Sequence, residues 1–210
     1  MRISDTDTIV IIGAHPDDIE FGCGALISKL KNKDRIVCVT LSPMKHLKNN
    51  EDLLHQQNKS LDFLGIDKNN RYLGDFECRR FHRDRQMICD FLWKINEEYK
   101  PQIVMSHPTF SDMHQDHEVV SRETLRIFRN TSILGYQNQP RYYYRYYPNL
   151  FVQVEEKDVN NKMKALSFYK YYNNKEYFSK DLIRSQLRSN GIYIDGEYAE
   201  AYHTMRIYIR

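Results

Sequence analysis

Residues 8–24 decide the fold, and they read TIVIIGAHPDDIEFGCG. Residues 9–12, near the start of this stretch, are all apolar, with no polar residue at alternate positions. Such a run is typical of a strand buried on both faces of a parallel sheet. The proline after His15 fixes its own φ and lacks an amide donor, so the chain turns there. An imidazole and two carboxylates, His15, Asp17 and Asp18, therefore crowd the end of the strand. Open α/β sheets carry their chemistry at this edge, and the cluster predicts a divalent metal site.

A second strand leads into side chains of the same kind. Residues 102–106 are largely apolar, and the segment that follows them contains Asp112, His114, Asp116 and His117. The carboxyl ends of parallel strands lie at the same edge of a sheet. The two clusters, distant in sequence, are therefore expected to form one shared site.

The rest of the chain alternates between strand and helix patterns, which predicts an α/β fold with βαβ crossovers. Further strands are predicted over residues 35–41, 72–73, 133–136, 150–154 and 204–210. Helices are predicted over residues 19–30, 51–64, 81–99, 115–130, 156–172 and around 184–188. With no repeat or linker, residues 1–210 are expected to form a single domain.

The composition narrows the class of protein. Hydrophobic residues make up 41% and charged residues 28% of the 210, an ordinary globular balance. The net charge is only +3, and the basic residues are spread along the chain rather than clustered, so nucleic acid is not an expected partner. The four cysteines show no CxxC spacing and are expected to be reduced. Without an apolar signal region or a membrane-length apolar run, the sequence predicts a cytoplasmic protein with no membrane span.

The two clusters together contain the parts of a catalytic zinc site. Catalytic zinc takes three protein ligands and keeps one position for water. His15, Asp18 and His117 supply a suitable ligand set. The remaining carboxylate of the first cluster, Asp17, is then expected to act as general base for the bound water.

The second cluster also supplies an extra imidazole. His114 is expected to stabilise a developing oxyanion or to protonate a leaving group. Asp116, or alternatively Asp112, is expected to bond the His114 ring and hold it protonated. The competing interpretation is that these aspartates only cap a helix, and that His107 only ends its strand.

Two motifs identify a known family. Residues 14–20, AHPDDIE, resemble the AHPDDE signature of the LmbE/PIG-L family of zinc-dependent N-acetylglucosamine deacetylases. Residues 114–117, HQDH, look like the second motif of that family, His-x-Asp-His. The likeness continues through residues 134–136, 148–151 and 198–202, so it covers nearly the whole chain.

The resemblance implies a fold, a reaction and a set of residue roles. The fold is a Rossmann-like, mostly parallel sheet flanked by helices, with a C-terminal extension of short strands and helices. The reaction is removal of an N-acetyl group from an amino sugar, and members often form homo-oligomers. The implied roles are ligands His15, Asp18 and His117, base Asp17, electrostatic partner His114 and its tuning carboxylate Asp116.

The chain departs from the family where substrate is bound. After the second strand the family often carries Gly-Glu and an arginine that contacts substrate, but residues 42–46 read SPMKH here. Arg188 is the candidate residue for a substrate contact. Residues 141–147, RYYYRYY, could stack on a sugar or hold a nucleotide diphosphate. Their structural alternative is an edge strand, an oligomer interface or a cover over the core.

Two other functions stay open at the level of sequence. Two histidines and one carboxylate also form the facial triad of non-haem iron oxygenases, so Fe²⁺ is an alternative occupant to Zn²⁺. A non-catalytic module that holds a metal and a glycan would use the same pocket. The additional Asp17 and His114 favour hydrolysis, because neither alternative needs them.

Overall fold

The computed structural model describes residues 3–45, 52–109, 111–138 and 146–209. Within those ranges the chain forms seven strands and six α-helices. The strands are β1 (Ile9–Gly13), β2 (Ile36–Thr40), β3 (Arg71–Leu73), β4 (Ile103–Ser106), β5 (Ser132–Tyr136), β6 (Leu150–Val154) and β7 (Tyr198–Arg206). The helices are α1 (Asp18–Lys29), α2 (Leu53–Phe63), α3 (Arg85–Tyr99), α4 (Gln115–Ile127), α5 (Glu156–Leu166) and α6 (Lys180–Ile192).

The described strands form one mixed sheet in the order β3-β2-β1-β4-β5-β7-β6. The first five strands of that order pair in parallel, whereas β7 pairs antiparallel with β5 and with β6. The predicted α/β fold with a mostly parallel sheet is therefore confirmed. The chain leaves β1 in one direction towards β2 and in the other towards β4, which makes this the switch point where open α/β sheets bind ligands.

The central strand is buried because its side chains alternate between two hydrophobic layers. Ile9 and Ile11 pack on one face against α1, α2 and α5. Val10 and Ile12 pack on the other face against α3 and α4. Full burial of each such side chain contributes about 1.5–3 kcal/mol, so both layers hold β1 in place. The rigid strand delivers His15 to the carboxyl edge.

Several element boundaries differ from the sequence prediction. Helix α3 begins at Arg85 rather than at residue 81, and the buried Phe81 belongs to the preceding turn. Helix α5 ends at Leu166 rather than at residue 172, because the chain then turns to bury Tyr169 and Tyr172. The last strand is Tyr198–Arg206 rather than 204–210, since its first half is buried between two neighbouring strands.

The stretch over residues 141–147 lies mostly outside the described residues. Its last two members are described. The Tyr146 hydroxyl lies 3.0 Å from the Gly135 carbonyl oxygen and 2.9 Å from that of Ala201, while Tyr147 is exposed. Among the helices of the described ranges, none is long and apolar enough to cross a bilayer.

Candidate metal and catalytic site

The turn after β1 holds an aspartate in an unusual conformation. Asp17 has a φ of 102°, which L-residues rarely adopt, and its side chain is buried. Asp18 follows as the first residue of α1, and its Oδ2 accepts a hydrogen bond from the His15 amide at 2.8 Å. Backbone strain of this kind persists where the surrounding structure enforces it, and it concentrates at functional sites.

The three predicted metal ligands converge at the switch point. His15 Nδ1 lies 3.3 Å from His117 Nε2 and 3.6 Å from Asp18 Oδ2. His117 Nε2 lies 3.6 Å from Asp18 Oδ1. Ligand atoms at about 2.0–2.2 Å from a tetrahedral zinc ion lie roughly 3.3–3.6 Å from one another. The 3.3 Å between the two imidazole nitrogens fits a shared divalent cation, and each of these nitrogens lies 3.6 Å from a different oxygen of Asp18.

The other nitrogen of each histidine is bonded to a carboxylate. His15 Nε2 lies 3.0 Å from Asp116 Oδ2, and His117 Nδ1 lies 2.6 Å from Asp112 Oδ2. Metal-ligating histidines usually donate their second ring N–H in this way, which sets the tautomer. The other two ring nitrogens, His15 Nδ1 and His117 Nε2, lie 3.3 Å apart and become the ligand atoms once a cation displaces the proton between them.

This arrangement corrects the expected partners of the two aspartates. The sequence suggested that Asp116, or alternatively Asp112, bonds the His114 ring. Instead, the Asp116 carboxylate bonds His15 and the Arg79 amide, and that of Asp112 bonds His117. Spacing along the chain favoured the nearest histidine, whereas packing of the two strand ends brings more distant rings closer.

His114 is a neutral ring in this arrangement. It caps the N-terminus of α4, and its Nδ1 accepts a hydrogen bond from the Asp116 amide at 3.2 Å, which leaves the ring proton on Nε2. Burial, together with the neighbouring His117 and His15, lowers the pKa of His114 to about 3. A neutral His114 ring can act as a hydrogen-bond donor through its Nε2–H.

Two further residues contact the proposed ligands. Asn138, just after β5, donates from Nδ2 to Asp18 Oδ1 at 2.6 Å. His107 Nε2 lies 3.3 Å from Asp18 Oδ2, and its ring stacks on His117 at 3.7 Å. Sequence reasoning treated His107 as a strand end, although its position after an apolar strand was a usable signal. No motif marked Asn138.

The charge of Asp18 is stabilised within the cluster. Burial alone would raise the pKa of Asp18, but the neighbouring His117 and His107 hold it well below its usual range. Burial would likewise lower the pKa of His15, but the hydrogen bonds to Asp116 and Cys78 and the charge of Asp18 raise it well above its usual value. A cation would displace the proton that His15 holds.

The charge of Asp17 acts on two buried tyrosines, Tyr169 and Tyr172. Burial, followed by the charges of Glu20 and Asp17, raises the pKa of Tyr169 well above its ordinary value. Burial and the Asp17 charge also raise the pKa of Tyr172. The Tyr169 hydroxyl donates to Glu20 Oε1 at 2.7 Å, and this hydrogen bond fixes the orientation of the ring.

The structure does not bring Arg188 to this cluster. It is an exposed residue on α6, and its Nη1 donates to the Glu197 carbonyl oxygen at 3.1 Å. Its guanidinium also lies over the Tyr198 ring, 5.8 Å from the centroid.

The fold and the histidine–aspartate cluster define an LmbE-like α/β protein with a candidate metal site. The family described as "PIG-L: GlcNAc-PI de-N-acetylase" matches residues 10–128. The matched region covers more than half of the chain and contains both motifs, and the chain belongs to this family.

Individual relatives agree with that assignment. The "Uncharacterized deacetylase YaiS" of Escherichia coli K12 is 28% identical over 169 residues, which cover 77% of this chain and 90% of that protein. The A40926 pseudoaglycone deacetylase Dbv21 superposes with a TM-score of 0.76 at 18% identity, over 97% of this chain and 99% of that one. The N,N'-diacetylchitobiose deacetylase from Pyrococcus horikoshii gives 0.73 at 16% identity, over 95% and 84%. The two solved structures establish a shared fold.

Proposed function

We propose that this protein is a metal-dependent hydrolase that removes the N-acetyl group from an N-acetylglucosamine-type amino sugar or a conjugate of one. The observation that carries the proposal is the pair of histidine nitrogens 3.3 Å apart, each on a ring whose other nitrogen is bonded to a carboxylate. This is the arrangement of a metal site with preset tautomers. The strained, buried Asp17 beside it supplies a base that metal binding alone would not need.

The donor set suits zinc. His15, Asp18 and His117 provide two imidazole nitrogens and one carboxylate, which leaves a fourth position for water or substrate. When bound, zinc would lower the pKa of a bound water to about 7 and polarise the amide carbonyl. The same ligand set also suits Fe²⁺, so iron is the alternative occupant.

Other side chains of the site supply the base, the hydrogen-bond donor to the oxyanion and the support of the metal ligands. Asp17 accepts a proton from the attacking water and later delivers it to the leaving amine. His114 donates its Nε2–H to the carbonyl oxygen on which negative charge develops. Asp112 and Asp116 hold the two ligand histidines in the tautomers that bind metal.

The family and the relatives support the proposed substrate class. The family is described by its activity on GlcNAc-PI, and the Pyrococcus enzyme is described by its activity on N,N'-diacetylchitobiose. Both are acetamido sugars, which supports an amino sugar as substrate here. Arg188 is retained as a candidate contact for a more remote part of a conjugated substrate, because it is exposed beside Tyr198.

The proposal also includes the compartment, the domain organisation and the oligomeric state of the protein. All four cysteines are free thiols, which suits a reducing compartment such as the cytoplasm. We also propose that residues 1–210 act as one domain and that the protein assembles as a homo-oligomer.

The test is acetate release by zinc-reconstituted protein from free, nucleotide-linked, malate-linked and inositol-linked N-acetylglucosamine. Asp17→Asn keeps the turn, because asparagine tolerates a positive φ, but it removes the base. We expect about a 10²–10⁴-fold loss of kcat with zinc content unchanged. Asp75→Asn, at an exposed position, is the matched control. Full turnover by Asp17→Asn would exclude this base, and zinc-loaded wild type that releases no acetate would refute the proposed activity.

A further inference from the structure

The His15 ring faces potential metal ligands on both sides. Its Nδ1 lies beside His117 and Asp18, the proposed first site. Its Nε2 lies 3.4 Å from the Sγ of Cys78 and 3.0 Å from Asp116 Oδ2. Cys78 belongs to the loop between β3 and α3 and is buried. The catalytic scheme above uses Nδ1 and gives the thiol no task.

The group on the Nε2 side has the spacing of a metal site. One ligand atom each from His15, Cys78 and Asp116 lies within 4.8 Å of the others. Zinc binds nitrogen and oxygen at about 2.0–2.2 Å and sulfur at about 2.3 Å, which places tetrahedral ligands roughly 3.3–3.6 Å apart. The two distances from Nε2 are close to those values, so a cation would need only small side-chain shifts.

A second observation points to a missing partner at this place. Asp116 is 1% exposed, and its Oδ1 has no hydrogen-bond donor among the described residues. Its Oδ2 is held by the Arg79 amide at 2.6 Å as well as by His15. Leaving a buried carboxylate oxygen unpaired is costly, and a cation would remove that cost.

We propose that His15 Nε2, Cys78 Sγ and Asp116 form a second metal site for zinc or for a softer cation such as cadmium. Binding releases two protons, one from the thiol and one from Nε2, and involves no change of oxidation state. The His15 ring then bridges the two cations. The thiolate ligand selects thiophilic cations over magnesium and calcium.

The consequence for activity rests on the proposed function. A cation at the second site replaces the proton that His15 shares with Asp116, and it thereby removes the hydrogen bond that orients the first ligand. One equivalent of zinc is then expected to activate the enzyme, and excess zinc or cadmium to inhibit it.

Metal stoichiometry tests the site without any assay of activity. We expect equilibrium dialysis to find two equivalents of zinc in the wild type and one in Cys78→Ser and Cys78→Ala. Cys89→Ser is the matched control, because Cys89 lies on α3 with its Sγ 3.0 Å from Glu123, and it should retain two. Cobalt or cadmium should add an ultraviolet thiolate charge-transfer band at the second equivalent, and this band should be absent from both Cys78 variants.

One equivalent in the wild type with no thiolate band would overturn the second site, whatever the activity. Two equivalents in the Cys78→Ser variant would overturn it equally. In the activity assay, the rate of each protein in excess zinc is compared with the rate of the same protein at one equivalent of zinc. Inhibition by excess zinc should be lost in Cys78→Ser and kept in Cys89→Ser. Failure of the proposed deacetylase activity would leave the stoichiometry and the band unaffected, so the two failures are distinguishable.

Discussion

Replacing Asp112 with asparagine is expected to weaken metal binding without removing a proposed ligand. The two carboxylate oxygens accept from different donors, His117 Nδ1–H at 2.6 Å and the His114 amide at 2.9 Å. Asparagine offers one acceptor oxygen and an NH₂ group. Either orientation of the new amide therefore loses one of these hydrogen bonds, and both orientations lose the negative charge.

The expected loss of zinc affinity can be estimated from the stronger of these two hydrogen bonds, the one to His117. A hydrogen bond to a charged group contributes about 1.5–3 kcal/mol. Loss of the carboxylate behind a metal-ligating histidine typically lowers metal affinity about 10–100-fold, which corresponds to about 1.4–2.8 kcal/mol. The two magnitudes agree. Asp112→Asn is therefore expected to raise the Kd for zinc about 10–100-fold, whereas the metal-saturated variant keeps most of its turnover because the proposed base and ligands are unchanged.

The assay is competition for zinc against a chelator of known affinity, with circular dichroism to confirm the fold. Asp90→Asn is the matched control, because Asp90 is an exposed residue of α3 that accepts from Gln86 Nε2 at 2.8 Å. Its zinc affinity should equal that of the wild type. If Asp112→Asn binds zinc as tightly as the wild type, the carboxylate does not support a metal ligand and the reasoning fails.

Three further outcomes are expected. Glu200→Gln removes the anion that lies 2.7 Å from the buried Lys162 ammonium, so it should lower the free energy of unfolding in urea by about 3–5 kcal/mol, and an unchanged midpoint would contradict this. Burial raises the pKa of Glu20 from 4.5 to about 7, so between these pH values the folded protein holds a proton that the unfolded protein has lost. The free energy of unfolding should therefore fall as the pH rises through this window, by up to about 3 kcal/mol. The curve of stability against pH for metal-free Glu20→Gln should be flatter over that window, and an identical slope would contradict the assignment. Zinc must displace the proton on His15, so zinc affinity measured by dialysis should increase with pH by about tenfold per unit below the raised pKa, and a pH-independent Kd would contradict this.

The sequence by itself determined the fold class and predicted that two distant clusters of polar side chains lie at one edge of the sheet. Residues 9–12 and 103–105 are continuous apolar runs, and such runs specify buried parallel strands through local periodicity alone. The rule that parallel strands end at one edge then brought His15 and His117 together across 102 positions of sequence. Neither inference requires knowledge of side-chain packing.

Only the tertiary structure decided which polar group supports which. The pairing of Asp112 with His117 and of Asp116 with His15 depends on how side chains from different elements pack together, and neither periodicity nor spacing along the chain encodes that packing. Cys78 reaches the opposite edge of the His15 ring for the same reason, since packing of the loop after β3 places it there. A sequence pattern records which face a residue occupies, but hydrogen bonds and metal sites are formed by distances in space.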